Sequence, residues 1–186
     1  MLTRREYTAA QEHAAAMIRG AGILITDQEA GRVEVADFGL SRLEKEGAQI
    51  LTLVATDRMA VKIIALFEGQ TLPEHWHPRV GDDPGKEETI RVVRGVLRCY
   101  IPGEDDMREG FVLEGKQDAY TVRHELVMGP GEQITLQPGT KHWFQAGPEG
   151  AVAYSFSTVA RDVLDGFTDP NIERVTKISA NEEPRI

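Results

Sequence analysis

The sequence predicts a mainly β protein, a sandwich or jelly-roll barrel preceded by a short helical extension. After Phe67, glycines recur at short intervals and separate segments rich in Val, Ile, Leu, Thr, Tyr and Phe, a spacing typical of antiparallel β domains. No such segment is followed by a long amphipathic helix, which disfavours parallel βαβ folds. The 186 residues suffice for one domain with a sizeable core. We expect a helical extension over residues 1–30, a β-barrel over 31–170 and a tail over 171–186.

The first expected element is a helix from Thr3 to Arg19. Thr3 followed by Glu6 matches a capping box, in which each residue satisfies a backbone N–H group of the other. Apolar residues then recur at three- and four-residue steps, and Gly20 supplies a stop. A second short helix is expected to begin at Thr26. The apolar stripe indicates that the first helix packs on a larger unit.

Strands are expected where the pattern changes from helical steps to alternation. The predicted strand segments, in chain order, are Val33 to Phe38, Ile50 to Ala55, Val61 to Phe67, Thr89 to Ile101, Tyr120 to Met128, Gln133 to Leu136 and Val152 to Thr158. The chain from Arg161 onward contains Asp169-Pro170 and Pro184. We expect this part to be irregular and to wrap the outside of the barrel or fray.

Composition and charge disfavour several classes of partner. There are 21 Lys and Arg residues against 30 Asp and Glu, and the formal charge is −9, so the average surface would repel DNA or an acidic membrane. No run approaches the ~20 apolar residues of a membrane span, and residues 1–17 lack the apolar core of a secretion signal. The single cysteine, Cys99, has no partner for an internal disulfide. We therefore expect a soluble cytoplasmic protein.

Three histidines lie at ligand-like spacing in two short stretches. His75 and His77 flank Trp76, and in an extended segment the two-residue period points both imidazoles to one face. His142 precedes Trp143, so both tryptophans of the chain adjoin these histidines, where a metal pocket needs dry walls. Taken by itself, the His-x-His sequence fits a chelating pair and two surface histidines near a turn equally well.

Glycines and a glutamate surround these histidines at defined intervals. The residues concerned are Gly69, His75, His77, Glu88 and Gly95 in the first stretch, and Gly131, Gln137, Pro138, Gly139 and His142 in the second. The two stretches resemble the two motifs of the cupin family. That resemblance implies a cupin (double-stranded β-helix, jelly-roll) barrel in which three histidines and one glutamate bind one metal ion. The implied ligands are His75, His77, Glu88 and His142.

Two departures from the cupin motifs leave these ligands in place. Ten residues separate His77 from Glu88, more than in the common form, so residues 78–86 must form a loop, and the Gly-Asp-Asp-Pro-Gly sequence within it favours turns. In the second motif the proline comes one position late, and Ala146 stands where the motif ends in asparagine. Glu87 is the nearest competitor of Glu88, and adjacent strand residues face opposite ways, so one of the two should be a surface carboxylate.

Further segments extend the match over most of the chain, from about Ile23 to Asp169. They are Phe67-Glu68-Gly69-Gln70-Thr71, Pro73-Glu74-His75, Gly85-Lys86-Glu87-Glu88-Thr89, Tyr120-Thr121-Val122, Lys141 to Gly147 and Phe167-Thr168-Asp169-Pro170. Together they resemble the D-lyxose isomerase family, a group of manganese-dependent cupin sugar isomerases. The resemblance implies interconversion of D-lyxose and D-xylulose, and also of D-mannose and D-fructose, by a homodimer. Mn²⁺ is the implied metal, although three imidazoles and a carboxylate also suit Co²⁺, Fe²⁺, Ni²⁺ or Zn²⁺.

An aldose–ketose interconversion moves a proton between C1 and C2, and its carriers must lie near those atoms. Lys86 is the first candidate, because a residue two positions before an inward-facing Glu88 also points inward. There its ammonium can donate a proton or neutralise a developing oxyanion. A solvated lysine at the end of a turn is the alternative interpretation. Asp169 is the candidate base, with Asp165 and His124 as alternatives.

Two other functions fit the same four ligands. An Fe²⁺ or Ni²⁺ cupin dioxygenase would bind O₂ beside a chelating substrate and would depend strictly on O₂. A non-catalytic sugar-binding cupin would bind monosaccharides without exchanging the C2 proton. We expect the isomerase, because the family resemblance covers most of the chain.

Overall fold

Residues 1–179 are described by the computed structural model, and β-strands dominate them. The helices are α1 (Arg4–Gly20) and α2 (Asp27–Ala30), and short 3₁₀ turns lie at Gln117–Ala119 and Asp162–Leu164. The strands are β1 (Leu2–Thr3), β2 (Glu34–Ala36), β3 (Ala48–Ala55), β4 (Met59–Leu66), β5 (Thr71–Trp76), β6 (Glu88–Ile101), β7 (His124–Met128), β8 (Gln133–Leu136), β9 (His142–Thr158), β10 (Gly166–Phe167) and β11 (Ile178–Ser179).

Helix α1 begins where the sequence predicted. Thr3 Oγ1 accepts a hydrogen bond from the backbone N–H of Glu6 at 3.1 Å, and the Glu6 carboxylate accepts one from the backbone N–H of Thr3 at 2.7 Å. The apolar face of the helix is buried against the outer side of β3, β4 and β9, where Ile18 packs in one cluster with Ile63 and Val152. Each such side chain contributes roughly 1.5–3 kcal/mol by leaving water. Within residues 1–179, neither helix has the length and hydropathy of a membrane-spanning segment.

The long strand β9 organises the main sheet. It pairs antiparallel with β5, β4 and β6, and β6 also pairs with β7 and β8. The sheet curls around an apolar core that includes Leu72, Ile90, Leu97 and Phe144. This is the mainly β barrel that the sequence predicted. Because β5 and β9 are neighbours, the two histidine-bearing stretches meet at one end of the barrel.

Strands β6 and β9 both bend where glycines face each other. Gly95 has φ +76°, and a Cβ atom there would lie 2.1 Å from the carbonyl oxygen of Gly150. Only glycine allows this close approach of two backbones. The predicted strand Val152 to Thr158 is therefore only the second half of β9, which continues through the bend from His142.

The predicted strand from Tyr120 starts later than expected. In the structure β7 begins at His124. The backbone N–H groups of Thr121 and Val122 donate to the buried carboxylate of Glu74, at 2.5 and 2.9 Å, rather than to a neighbouring strand. A glutamate that is distant in sequence therefore pulls this segment out of the sheet.

The chain from residue 161 to 179, here named the C-terminal strap, is more ordered than the predicted irregular tail. Its β10 pairs with β5, with Phe167 opposite His75, and its β11 pairs in parallel with β1. Arg174 forms an ion pair with Glu34 of β2. The strap thus crosses the end of the barrel that carries the histidines. The part of the expected tail from residue 180 to 186 lies outside the described residues.

Candidate metal centre

Four buried side chains from three strands converge at one end of the barrel. His75 lies on β5 and His77 directly after it, Glu88 is the first residue of β6, and His142 is the first of β9. Pairing of β5 with β9 sets His75 opposite His142, with ring centroids 4.2 Å apart. One ligand atom from each of the four lies within 4.8 Å of every other. The structure therefore brings together all four residues that the resemblance to the cupin motifs implies as ligands.

Hydrogen bonds to the outer ring nitrogens orient the three imidazoles. His75 Nδ1 lies 2.8 Å from the carbonyl oxygen of Pro73, and His142 Nδ1 lies 2.8 Å from that of Thr140. His77 Nδ1 lies 2.8 Å from the carboxylate of Asp165. Carbonyl and carboxylate oxygens accept, so each Nδ1 is the donor and each Nε2 points toward the shared centre. Metal-binding histidines are fixed by partners of this kind.

One nitrogen at the centre lacks a hydrogen-bond partner. His142 Nε2 is buried and unpaired within the described structure, and its nearest carboxylate oxygen, Glu88 Oε2, is 3.9 Å away. A buried polar atom without a partner costs about 1–3 kcal/mol. A cation held between the three Nε2 atoms and the Glu88 carboxylate would satisfy this nitrogen. The donor set, three imidazoles and one carboxylate, therefore fits a divalent transition metal.

The protonation of the site suits metal binding with one exception. Burial lowers the pKa of His75 well below its usual range, helped by the neighbouring imidazoles, and burial lowers the pKa of His142 to about 4. Burial disfavours ionised Glu88, but Lys86 and His77 outweigh it and hold the pKa of this carboxyl well below its usual value. Burial also lowers the pKa of His77, yet its hydrogen bonds to the carboxylates of Asp165 and Glu88 raise it more. A metal ion at His77 must therefore compete with a proton.

The structure distinguishes between the two adjacent glutamates. Glu88 is buried, and its Oε2 lies 3.0 Å from His77 Nε2. The exposed side chain of Glu87 accepts a hydrogen bond from Gln137 on the outside of the barrel. The long gap before them forms a turn, in which Val80 pairs with Asp83. The inserted loop thus leaves Glu88 facing the histidines.

Lys86 lies beside the four-residue cluster. Its side chain is buried, and Nζ lies 3.2 Å from Glu88 Oε1 and 3.6 Å from Asp162 Oδ1. Burial lowers the pKa of this ammonium, but the carboxylates of Glu88, Asp162 and Asp165 raise it above its usual value. This geometry favours the inward-facing lysine over the solvated one.

Asp169 lies in a different network. Its carboxylate accepts hydrogen bonds from Lys116 Nζ at 2.5 Å and from Asn171, and Lys116 also approaches the buried Glu46. None of these partners belongs to the histidine cluster. The strap carboxylate that does touch the cluster is Asp165, an alternative candidate from the sequence.

The remaining candidate carriers are also engaged elsewhere. His124, at the start of β7, pairs with Asp106. Glu74, the residue before His75, points to the opposite face of β5, as alternation requires, and its partners there include Thr121. Neither residue contacts the cluster through its hydrogen bonds.

Three polar neighbours of the cluster are not predicted from the sequence, namely Lys62, Ser155 and Asp162. Lys62 forms an ion pair with Asp162, and Ser155 donates to Glu88 Oε1 at 2.5 Å. Lys62 lies on the row of β4 that carries Ile64 into the core. Alternation along β4 could have identified Lys62, because it places this lysine on the inward row of an otherwise apolar strand, where a charged residue needs a partner.

Known proteins that are similar to this chain identify its family. Residues 7–186 match the model of the D-lyxose isomerase family. The chain is 49% identical over 178 residues to the D-lyxose ketol-isomerase of Cohnella laeviribosi, and the match covers 95% of this chain and 98% of that protein. The chain belongs to the D-lyxose isomerase family. Membership in the D-lyxose isomerase family confirms both the resemblance and the enzyme class, an isomerase, that the sequence predicted.

Two further comparisons place this member of the D-lyxose isomerase family. It is 45% identical over 179 residues to the D-lyxose/D-mannose isomerase of Thermosediminibacter oceani, covering 96% of this chain and 99% of that protein. Among solved structures, the L-ribose isomerase of Cellulomonas parahominis matches with a TM-score of 0.78 at 17% identity, covering 96% of this chain and 98% of the other. At that identity the similarity to the L-ribose isomerase concerns the fold alone, and it confirms the predicted cupin barrel.

Proposed function

We propose that this protein is a metal-dependent aldose–ketose isomerase that interconverts D-lyxose and D-xylulose, and also D-mannose and D-fructose. The names of its two close relatives support these substrates. The observation that carries the metal dependence is the convergence of three imidazoles and one carboxylate on a single point, with His142 Nε2 buried and unpaired there.

In this proposal His75, His77, Glu88 and His142 hold the ion, and Mn²⁺ is the expected one. When bound, the ion supplies Lewis-acid polarisation of the sugar carbonyl and its neighbouring hydroxyl. Lys86 then acts as the general acid: its ammonium, two residues before Glu88, donates to the oxygen on which negative charge develops.

The proton that moves between C1 and C2 needs its own carrier. Asp169, the candidate from the sequence, is engaged with Lys116 and Asn171, and its role as the base stays a prediction. Within the strap, Asp162 contacts Lys86 and Asp165 contacts His77. A base that belongs to this chain is therefore best sought first in the strap.

The proposal is tested by stripping the protein of metal and adding back one divalent ion at a time with D-lyxose or D-mannose in D₂O under argon. We expect no ketose without metal, restored ketose formation with Mn²⁺ and one or more of the other ions, and solvent deuterium at the transferred position. His142→Ala, which removes the unpaired nitrogen, should not be restored. Full activity of the stripped protein, or turnover only when O₂ is admitted, would overturn the proposal.

Two further expectations accompany this function. The homodimer is implied by family resemblance, and the cytoplasmic location was inferred from composition and charge. Both stay predictions, which sedimentation and cell fractionation can test.

A further inference from the structure

The two oxygens of the Glu88 carboxylate have different surroundings. Oε2 lies 3.0 Å from His77 Nε2 and 3.9 Å from His142 Nε2, so it faces the shared centre. Oε1 faces away from them and accepts two hydrogen bonds, from Ser155 Oγ at 2.5 Å and from Lys86 Nζ at 3.2 Å. The carboxylate is thus held with one oxygen toward the histidines and the other occupied.

Ser155 is placed by strand register to make this contact. It lies on β9, with Ile90 of β6 on one side and Lys62 of β4 on the other. Ser155 is 1% exposed, and within residues 1–179 its hydroxyl has Glu88 as its only hydrogen-bond partner. Ala151 and Ala153, earlier on the same inward row, are apolar. A hydroxyl buried in such a row is costly unless it is paired, and here the Glu88 carboxylate pairs it.

We infer that Ser155 is a positioning residue for the metal centre: its hydroxyl holds Glu88 Oε1 so that Oε2 alone is presented to the ion. The inference rests on the proposed function for the identity of the site, and it deepens that proposal by adding a residue outside the four ligands. Partners of this kind fix the orientation of ligating carboxylates, and their loss typically costs about 10–100-fold in metal affinity.

The catalytic part assigned to Lys86 makes the serine contact more important. An ammonium that turns toward a substrate oxygen lengthens its hydrogen bond to Glu88. Among the described residues, the hydroxyl of Ser155 has no comparable second acceptor to turn toward, because its strand is paired on both sides. The hydroxyl is then the contact that keeps the carboxylate oriented during turnover.

Strand β9 also offers a matched control. Ser157 is the direct register partner of Glu88, yet its hydroxyl donates to the carbonyl oxygen of Thr158 at 2.9 Å. Ser157→Ala therefore removes a hydroxyl from the same strand, two residues further on at a half-buried position, without removing a hydrogen bond from the carboxylate. Ser155→Thr keeps the hydroxyl and serves as the conservative variant.

The experiment is a calorimetric titration of metal-stripped protein with Mn²⁺ in the absence of sugar. We expect Ser155→Ala to raise the Kd for Mn²⁺ about 10–100-fold, Ser157→Ala to leave it within twofold of wild type, and Ser155→Thr to recover most of the loss. Thermal unfolding of each metal-stripped variant verifies that the fold is retained. In a second measurement, Lys86→Met combined with Ser155→Ala should weaken binding more than the two single changes predict, because together they leave Oε1 without a donor.

The outcomes separate this inference from the proposed function. If wild type and Ser155→Ala bind Mn²⁺ equally well, the inference is overturned while metal-dependent isomerisation stands. If wild type binds Mn²⁺ and Ser155→Ala binds it weakly, but no ketose forms from D-lyxose or D-mannose, the proposed function is overturned and the role of Ser155 stands. Failure of wild type to bind any divalent ion overturns both.

Discussion

Replacing Lys86 by methionine should lower turnover about 100-fold and leave the metal content unchanged. The ammonium lies 3.2 Å from Glu88 Oε1 and 3.6 Å from Asp162 Oδ1, at the edge of the ligand cluster. Methionine fills a similar volume without the charge or the donor. Loss of a group that transfers a proton in the transition state typically costs about 10²–10⁴-fold in rate. The lower end of that range is about 2.7 kcal/mol of activation free energy.

The structure also explains why this change should spare the fold. Without Lys86, Glu88 keeps the hydroxyl of Ser155 and the imidazole of His77. Asp162 keeps Lys62 and the guanidinium of Arg174. Neither the buried Glu88 nor the half-buried Asp162 is left unpaired, so the loss of several kcal/mol that follows the breaking of a buried ion pair should not occur. The melting temperature and the bound metal should stay close to those of wild type.

The assay is the initial rate of ketose formation from D-lyxose at saturating Mn²⁺, with the metal content measured on the same sample. Lys141→Met is the matched control, because this ammonium lies 3.6 Å from Glu74 and 5.2 Å from the centre of the Trp76 ring, on the outer face. Turnover of Lys86→Met within fivefold of wild type would refute the assignment of Lys86 as a proton donor. Joint loss of metal and activity would show instead that Lys86 acts by holding Glu88.

Three other predictions concern the ligands and the barrel. Asp165→Ala removes the acceptor of His77 Nδ1–H and should weaken Mn²⁺ binding about 10–100-fold by titration; unchanged affinity would contradict this. In the metal-free protein His142 alone should remove about 2.5 kcal/mol of unfolding free energy as pH falls from 6.5 to 4, because the unfolded chain protonates this histidine in that range whereas the folded chain, in which its pKa is about 4, resists protonation. Urea titrations in the presence of a chelator should therefore give a free energy of unfolding that falls less steeply with decreasing pH for His142→Asn than for wild type, and an equal pH dependence would contradict the reasoning. Gly95→Ala should lower the free energy of unfolding by more than about 2 kcal/mol, because a left-handed φ costs a non-glycine residue about 1–2 kcal/mol and the new Cβ would lie 2.1 Å from the carbonyl oxygen of Gly150. An unchanged midpoint of urea unfolding would refute that reasoning.

The four convergent residues could be predicted because each belongs to a short local pattern. Alternation around Trp76 sets His75 and His77 on one side, and the same rule separates Glu88 from its neighbour Glu87. What joins the two stretches is the pairing of β5 with β9, a contact between segments that lie almost seventy residues apart. Local patterns do not predict that pairing, and only the family resemblance implies it from the sequence.

The base could not be predicted in this way, because partners distant in the sequence decide where a carboxylate lies. Asp169 precedes a proline and reads locally as a turn residue, and nothing nearby indicates that Lys116, 53 positions earlier, pairs with it. Tyr120 reads as the start of a strand, yet Glu74 draws the following residues out of the sheet. Local propensity gives way to tertiary contacts at both places.

The C-terminal strap links these distant contacts to the metal centre. Its three aspartates, Asp162, Asp165 and Asp169, lie three and four positions apart, and their partners belong to different parts of the barrel. Asp162 meets Lys62 on β4, Asp165 meets His77 after β5, and Asp169 meets Lys116 in the loop before β7. Because the aspartates share one short stretch of backbone, docking one of them limits where the others can lie. One short segment therefore supplies both the carboxylate that contacts His77 and the one that contacts Lys86, and a change at any one of its aspartates, the candidate bases included, should also affect the placement of the other two.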